Sequence, residues 1–444
     1  MRNFIYLVIC TLCLWNPFPV SAQNSEVVLS LQDALAKAAE NNWQINKAKE
    51  QGKAAKAEFR ETNSIFLPNL NVSHTVVTTN DPLSAFGFKL KQEITKQEDF
   101  NPILLNDPKH IENFASKIEV QQPIINLDGL YGRKAASAKL QAVDYTTERT
   151  INYTKFEVKK AYYQLELAKQ AVVVLDKSIE VAKSAEELTA NNLKQGYVKD
   201  ADLLAAKVRV LELNTQLLDA KNNKKQANEY LAYLLGMDIN TQISTSDHLE
   251  KQPSLLSGLV QVEDTGFRSD LMAYKKGIEA RKNMLKSQKM QFLPRLNAFG
   301  AYEWNDDHLF GTSANNYMIG ASLSWNLFSG YKNVGKVQKA KAELKIAELN
   351  LSEYESRNNM EIQGAKRNLK LAFDRIELTK LAKEQSLEAL RIRENRYKQG
   401  LEKTTDLLYS ESVSLARSLD YINALYKYHV AVFQLELLLE KDLQ

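Results

Sequence analysis

Two different periodicities divide this chain. Four segments alternate between apolar and polar side chains with a period of two. In the first, Leu70, Val72, His74 and Val76 alternate with Asn69, Asn71, Ser73 and Thr75. In the second, Phe114, Ser116, Ile118 and Val120 alternate with Ala115, Lys117, Glu119 and Gln121. The third sets Leu296, Ala298, Gly300, Tyr302 and Trp304 against Arg295, Asn297, Phe299 and Glu303. The fourth sets Tyr317, Ile319, Ala321, Leu323, Trp325 and Leu327 against Met318, Gly320, Ser322, Ser324 and Asn326. Successive side chains of a strand point to opposite faces, so each segment predicts a strand with one apolar and one polar face. One apolar face over about 10 residues is the pattern of a transmembrane barrel strand. A sheet resting on a soluble core would give it too. Tyr302, Trp304, Tyr317, Trp325 and Phe328 fall near strand ends, where an interfacial aromatic girdle belongs.

Elsewhere the apolar positions alternate steps of three and four, the period of coiled-coil packing. Leu165, Ala168, Val172, Leu175, Ile179 and Ala182 form one such seam. Val337, Ala340, Leu344, Ala347, Leu351 and Tyr354 form a second, and Leu415, Leu419, Ile422, Tyr426, His429 and Phe433 a third. Between Pro123 and Pro294 the only proline is Pro253, and none follows Pro294. Unbroken helices are therefore predicted from about 129 to 195 and from about 331 to 399. At about 1.5 Å per residue each would be about 100 Å long. Gly196 and Gly400 mark where each helix stops and its partner turns back.

The chain repeats itself. Asn191-Asn192-Leu193-Lys194-Gln195-Gly196 with Asp202-Leu203-Leu204 recurs 204 residues later as Asn395-Arg396-Tyr397-Lys398-Gln399-Gly400 with Asp406-Leu407-Leu408. The same offset carries Leu234-Leu235 onto Leu438-Leu439. Phe66-Leu67-Pro68-Asn69-Leu70 corresponds to Phe292-Leu293-Pro294-Arg295-Leu296, and Asn126-Leu127-Asp128-Gly129 to Asn326-Leu327-Phe328-Ser329-Gly330. Ordered matches of this kind indicate a duplication. The units read as residues 23–264 and 265–444, each a helix, a strand pair and a helical hairpin with its tip near 196 or 400.

Composition narrows the function. A net charge of +4 in 444 residues is no basic imbalance of the kind a nucleic-acid binder shows. Arg2, the apolar run from Phe4 to Leu14 and Val20-Ser21-Ala22 read as a secretory leader spanning residues 1–22. Cys10 and Cys13, the only cysteines, lie inside it, so the mature chain would use neither disulfide nor thiolate chemistry. His74, His110, His248, His308 and His429 fall in unrelated elements, with no metal-ligand spacing, and no phosphate-cradling loop or nucleophile elbow occurs. No catalytic group, cofactor or metal is expected.

An exported chain without a spanning helix is either soluble or part of a closed barrel. Four strands cannot close a barrel around a lumen, since the smallest outer-membrane barrels have about 8. Open edges are not tolerated in lipid, so copies of the chain would have to pool their strands in a symmetric ring.

At this point the ordered Phe-Leu-Pro, Asn-Leu…Gly and Gly-x5-Asp-x-Leu landmarks resemble the TolC-like outer-membrane efflux protein family over essentially the whole mature chain. The resemblance implies a mainly α fold with a transmembrane β part. It implies a homotrimer whose 12-stranded barrel sits in outer-membrane lipid and continues into a 12-helix periplasmic tunnel. It also implies partners, a periplasmic adaptor (membrane fusion protein) and an inner-membrane transporter, and cargo that is most often small molecules such as drugs and toxic compounds. Type I protein secretion and metal-ion efflux are alternatives within the family, and a soluble periplasmic coiled-coil scaffold is an alternative outside it.

The family carries inward aspartates at the tip of its second hairpin, ringing the periplasmic entrance. Asp406 matches the first of them. Tyr397 matches a tyrosine that helps hold the entrance closed. Glu402 stands where the family has an arginine and Tyr409 where it has the second aspartate, so the entrance constriction departs from the usual pattern; Glu411 is a candidate for the missing charge. Plainer roles compete: Asp202 and Asp406 each sit early in a helix, where a carboxylate offsets the helix dipole, and Tyr397 suits a helix seam. The tips Gly196-Tyr197-Val198 and Gly400-Leu401 would expose apolar side chains, as a docking surface for the adaptor does. The insert from about 80 to 113, with three prolines, is expected at the outer end of the first strand pair, either folded over the mouth or without fixed structure.

Overall fold

The computed structural model of the protein describes residues 26–250 and 268–441. The expected leader, the two cysteines, Pro253 and the boundary between the two units lie outside these residues. The elements run β1 (Val27–Leu29), α1 (Leu31–Asn41), α2 (Trp43–Glu61), β2 (Asn69–Thr79), α3 (Pro82–Lys91), α4 (Pro102–Asn106), β3 (Ile111–Ile125), α5 (Leu127–Lys194) and α6 (Asp200–Leu234). They continue with β4 (Ile243–Thr245), α7 (Ser269–Met290), β5 (Arg295–Asp306), β6 (Ala314–Ser324), α8 (Lys332–Lys398) and α9 (Thr404–Leu439). The chain is mostly helical. Among the described residues no helix is long and apolar enough to cross a membrane.

Local chemistry sets the helix ends. Ser30 caps α1 by accepting from Asp33 N at 3.1 Å, while Asp33 accepts from Ser30 N. Asn126 caps α5, its Oδ1 accepting from Gly129 N at 3.0 Å. Gly129 is required there, because a Cβ would meet the Asn126 side chain at 2.7 Å. The corresponding landmark in the second unit behaves differently. The strand before it ends at Ser324, Gly330 and Tyr331 take positive φ, and α8 starts only at Lys332. Sequence likeness there does not extend to the turn.

The two long helices match the predicted spans of 129–195 and 331–399 to within about two residues. The return arms are about half as long as their partners: α6 has 35 residues against 68 in α5, and α9 has 36 against 67 in α8. Each return arm therefore covers only the tip-side half of its partner. On the sheet side the place is taken by α2 and α7. There the helices lie side by side in the order α2, α5, α7, α8; toward the tips the order is α6, α5, α9, α8. The seams in α5 and α9 lie in these contacts, with Leu175, Ile179 and Ala182 packed among Val210, Leu213, Ala220 and Leu415. The main core, around Tyr162, Leu165, Leu231, Leu369, Tyr428 and Leu435, sits where the two tiers meet. There the parallel pair β1 and β4 is fastened by Tyr162 Oη, which donates to Leu29 O or Asp247 Oδ2, both at 2.8 Å, and accepts from Ser246 N at 3.1 Å.

The four long strands form one antiparallel sheet in the order β2-β3-β5-β6. Register joins the predicted faces. Val72, Ile118, Tyr302 and Tyr317 lie in one row, and Leu70, Val120, Gly300 and Ile319 in the next row on the same face. Between them Asn71, Glu119, Ala301 and Met318 fill a row of the other face, followed by Ser73, Lys117, Glu303 and Asn316. One face is thus predominantly apolar and the other predominantly polar across all four strands. Among the described residues the sheet does not close: β2 and β6 each keep a free edge.

Candidate functional site

The hairpin tips share one backbone solution. At the first, Gly196 N donates to Leu193 O at 2.9 Å and Tyr197 N to Asn192 O at 2.9 Å. At the second, Gly400 N donates to Tyr397 O at 3.0 Å and Leu401 N to Arg396 O at 2.9 Å. This pairing requires a left-handed residue, and Gly196 and Gly400 have φ of 77° and 74°. Nothing lies near the missing Cβ of either, so backbone conformation selects glycine there.

The side chains of the two tips are used differently. Tyr397 is buried, with Oη 2.6 Å from Thr189 Oγ1 and 3.0 Å from Thr404 Oγ1. Thr189 spends its hydroxyl proton on Ala185 O at 2.7 Å, so Tyr397 donates to Thr189 and Thr404 donates to Tyr397. The phenol thereby fastens α8 to α5 and to the start of α9, above an apolar cluster of Ala185, Leu390 and Leu407. It is a clasp between the two hairpins inside one chain. Glu402 accepts from Arg393 Nη1 at 2.9 Å and from Arg396 Nε at 2.8 Å, while Arg396 also reaches Leu401 O at 3.1 Å. Its charge is consumed within its own tip.

Asp202 and Asp406 occupy matching positions with different partners. Asp202 Oδ2 accepts from Lys199 N at 3.0 Å, a helix-start role. The Asp406 carboxylate is half-exposed and meets no partner among the described residues. Tyr409, one turn on, is exposed. Glu411 does not supply an accessible charge. It is buried against Arg209, whose Nε donates at 2.6 Å, and burial pushes its carboxyl above the ordinary value of 4.5 despite that contact. Sequence periodicity gave no sign of the Arg209–Glu411 pair or of the threonines around Tyr397. Tyr197 and Leu401 are exposed as expected, whereas Val198 is only partly so.

Among the described residues one cluster has metal-ligand types, Asp306, Asp307 and His308 in the β5–β6 turn. Asp306 is already engaged, accepting from His308 N at 3.0 Å, Ser313 N at 2.9 Å and Ser313 Oγ at 2.7 Å. It shapes the turn.

The free edges are the remaining feature. In each tier and in the sheet, one side of the chain ends in β2, α2 and α6 and the other in β6 and α8. Both sides leave apolar side chains uncovered. On α6 these are Leu204, Val208, Leu211 and Leu218, spaced four, three and seven. On α8 they include Leu349, Met360, Leu371 and Leu378. Apolar side chains thus face water on both sides of the described residues, as surfaces that bind partners do.

Comparison with known proteins gives a consistent result. The family described as outer membrane efflux protein matches residues 34–237 and 267–440. No curated protein matches the sequence. Among solved structures, the outer membrane protein VceC of Vibrio cholerae superposes with a TM-score of 0.78 at 18% identity, covering 93% of this chain and 97% of that one. The Campylobacter jejuni CmeC outer membrane channel gives 0.77 at 17% identity, covering 92% and 85%. The open state of the Neisseria gonorrhoeae MtrE outer membrane channel gives 0.72 at 16% identity, covering 92% and 88%. At such identities these likenesses concern the fold.

Proposed function

The chain belongs to the outer membrane efflux protein family, and from that premise we propose that it is the outer-membrane exit duct of a tripartite efflux system, closed by three copies. The observation that carries this reading is the pair of open edges running through the sheet and both helical tiers on the same two sides of the chain. A wall with two complementary edges closes by repeating head to tail around an axis. With four strands in the sheet and four helices in each tier, three copies would supply twelve of each. Strands and tunnel would thus close together. The apolar sheet face would meet outer-membrane lipid and the polar face would line a water-filled lumen. The helical part, about 100 Å long in α5 and α8, would extend into the periplasm.

Within this reading the chain is exported behind a cleaved leader of residues 1–22 and carries two copies of one unit, 23–264 and 265–444. The tips face the pump side, where Tyr197 and Leu401 would dock a periplasmic adaptor and, through it, an inner-membrane transporter. Asp406, brought near its symmetry mates, would ring the entrance, with Tyr397 fixing the hairpin that carries it. The lumen face bears both signs of charge, with Lys117 bound to Glu119 at 2.9 Å beside Glu303. That favours passage of varied small molecules over selective conduction of a metal ion. No chemistry is assigned to the chain; it acts as a passive conduit driven by its partners.

Cell fractionation followed by planar-bilayer recording tests the proposal. Recovery from detergent-extracted outer membrane as a trimer with a defined unitary conductance is expected. Release by osmotic shock as a non-conducting monomer would overturn it and favour a periplasmic scaffold.

A further inference from the structure

The insertion between β2 and β3 is ordered and is fastened across one face of the sheet. Helix α3 packs on β3 and β6. Lys91 Nζ, at its end, donates to Glu303 Oε1 at 2.9 Å. Next to it Gln92 is buried, and its Nε2 reaches Glu112 O at 2.7 Å, Asn113 Oδ1 at 2.9 Å and Asp306 O at 3.2 Å. Asn113 in turn donates to Asn305 Oδ1 at 3.0 Å. By register Asn113, Asn305 and Glu303 lie on the polar face, in line with Lys117 and Glu119.

A polar face that only met water would leave these amides hydrated. Instead Asn113 is 2% exposed, Asn305 0% and Ala314, on the same face, 1%. Burying amides is unfavourable unless partners replace the lost water, and Gln92 is the partner provided. The fastening is incomplete, since Gln92 Oε1 is buried without a partner among the described residues and Lys91 is half-exposed. Unsatisfied buried groups weaken a contact, so a seat of this kind can release.

We propose that residues 82–106 form a releasable constriction seated on the lumen face at the outer mouth of the duct, with Lys91 and Gln92 as its fasteners. This rests on the duct reading, in which the polar face lines the lumen. It places a second narrowing of the path at the end opposite the hairpin tips.

The test is planar-bilayer recording of the full-length trimer beside two variants, Lys91→Ala/Gln92→Ala and a deletion of 82–106 bridged by a short Gly-Ser linker. Unitary conductance several-fold above wild type is expected for the deletion, with frequent transitions to that higher level in the double substitution. Intact trimers of both variants conducting as wild type does would overturn the constriction and leave the duct standing. Inserted trimers that conduct in no form would overturn the duct reading itself. Should the deletion fail to assemble, Lys91→Cys/Glu303→Cys joined by a short bismaleimide in outer-membrane vesicles decides. Cross-linking within one chain, with conductance held at the lower level, supports the seat, and absence of cross-linking refutes it. Cys10 and Cys13, both inside the expected leader, are the only other cysteines.

Discussion

The two hairpin tips share a turn and diverge in almost every side chain that matters. Both stop their long helix with a left-handed glycine and the same pair of backbone hydrogen bonds. At the position after Gly196 and Leu/Tyr neighbours, the first tip has half-buried Val198 where the second has Glu402 locked between Arg393 and Arg396. The first tip has Leu193 where the second has Tyr397, the buried clasp. The first uses Asp202 to begin a helix, and the second leaves Asp406 unengaged. The backbone requirement is identical in both, so it keeps the glycines. What differs is the work of the polar groups: the second tip is braced internally, and one carboxylate is left over.

The largest test of this contrast is Tyr397→Ala. Removing a buried aromatic costs about 3–5 kcal/mol, and the Thr189 and Thr404 hydroxyls would lose their common partner. Hydrogen exchange around 185–192 and 395–408 should accelerate strongly. Tyr197→Ala at the exposed first tip should change stability by no more than about 0.5 kcal/mol. Equal effects at the two tips would erase the distinction.

A pH series on Glu411→Gln comes next. Burial raises the Glu411 carboxyl above 4.5, so the folded state holds its proton more tightly than the unfolded state. That contribution is complete below about pH 4.5 and is lost as pH rises through the raised value. Wild type should therefore lose stability relative to Glu411→Gln between those limits, read from denaturation midpoints. A difference independent of pH would show that burial does not raise the carboxyl, and wild type gaining stability as pH rises toward about 4.5 would show that Arg209 holds it ionised instead.

Glu402→Gln should loosen the second tip by about 1 kcal/mol or less, because Arg393 and Arg396 are partly exposed. Limited proteolysis near 398–403 should quicken. The matching Val198→Ala removes no charge pair and should leave salt dependence unchanged.

The smallest energetic effect separates the aspartates. Asp202→Ala should cost about 0.5–1 kcal/mol through its lost helix-start hydrogen bond. Asp406→Ala should leave stability nearly unchanged and reduce cation selectivity and block by multivalent cations in planar bilayers. Destabilisation by both, with unaltered selectivity, would make Asp406 a second helix-start residue.

Periodicity made the long helices and strands readable, because each buries one stripe or one face and the pattern records it. The alternating segments from Leu70, Phe114, Leu296 and Tyr317 even share faces in register. What escaped was anything fixed by contact across the chain. Arg209 meets Glu411 from 202 positions away and Thr189 meets Tyr397 from 208, and neither pair interrupts a local pattern. Nor did any local pattern show that α2 and α7 pack beside α5 on the sheet side, since those contacts join segments far apart in the chain. The insert from about 80 to 113 was legible as a loop at the outer end of the first strand pair, but not whether it folds back, since the seat of 82–106 depends on Gln92 finding Asn113 and Asp306. Glu402 was visible as a residue but its arginine partners were not.

Direct imaging decides the geometry. Electron cryomicroscopy of the detergent-extracted particle should show three copies around a continuous lumen, with β6 and α8 of each copy against β2, α2 and α6 of the next, and Lys117 and Glu303 facing inward. A particle whose β2 and β6 edges remain unpaired, with no cavity along its axis, would contradict it.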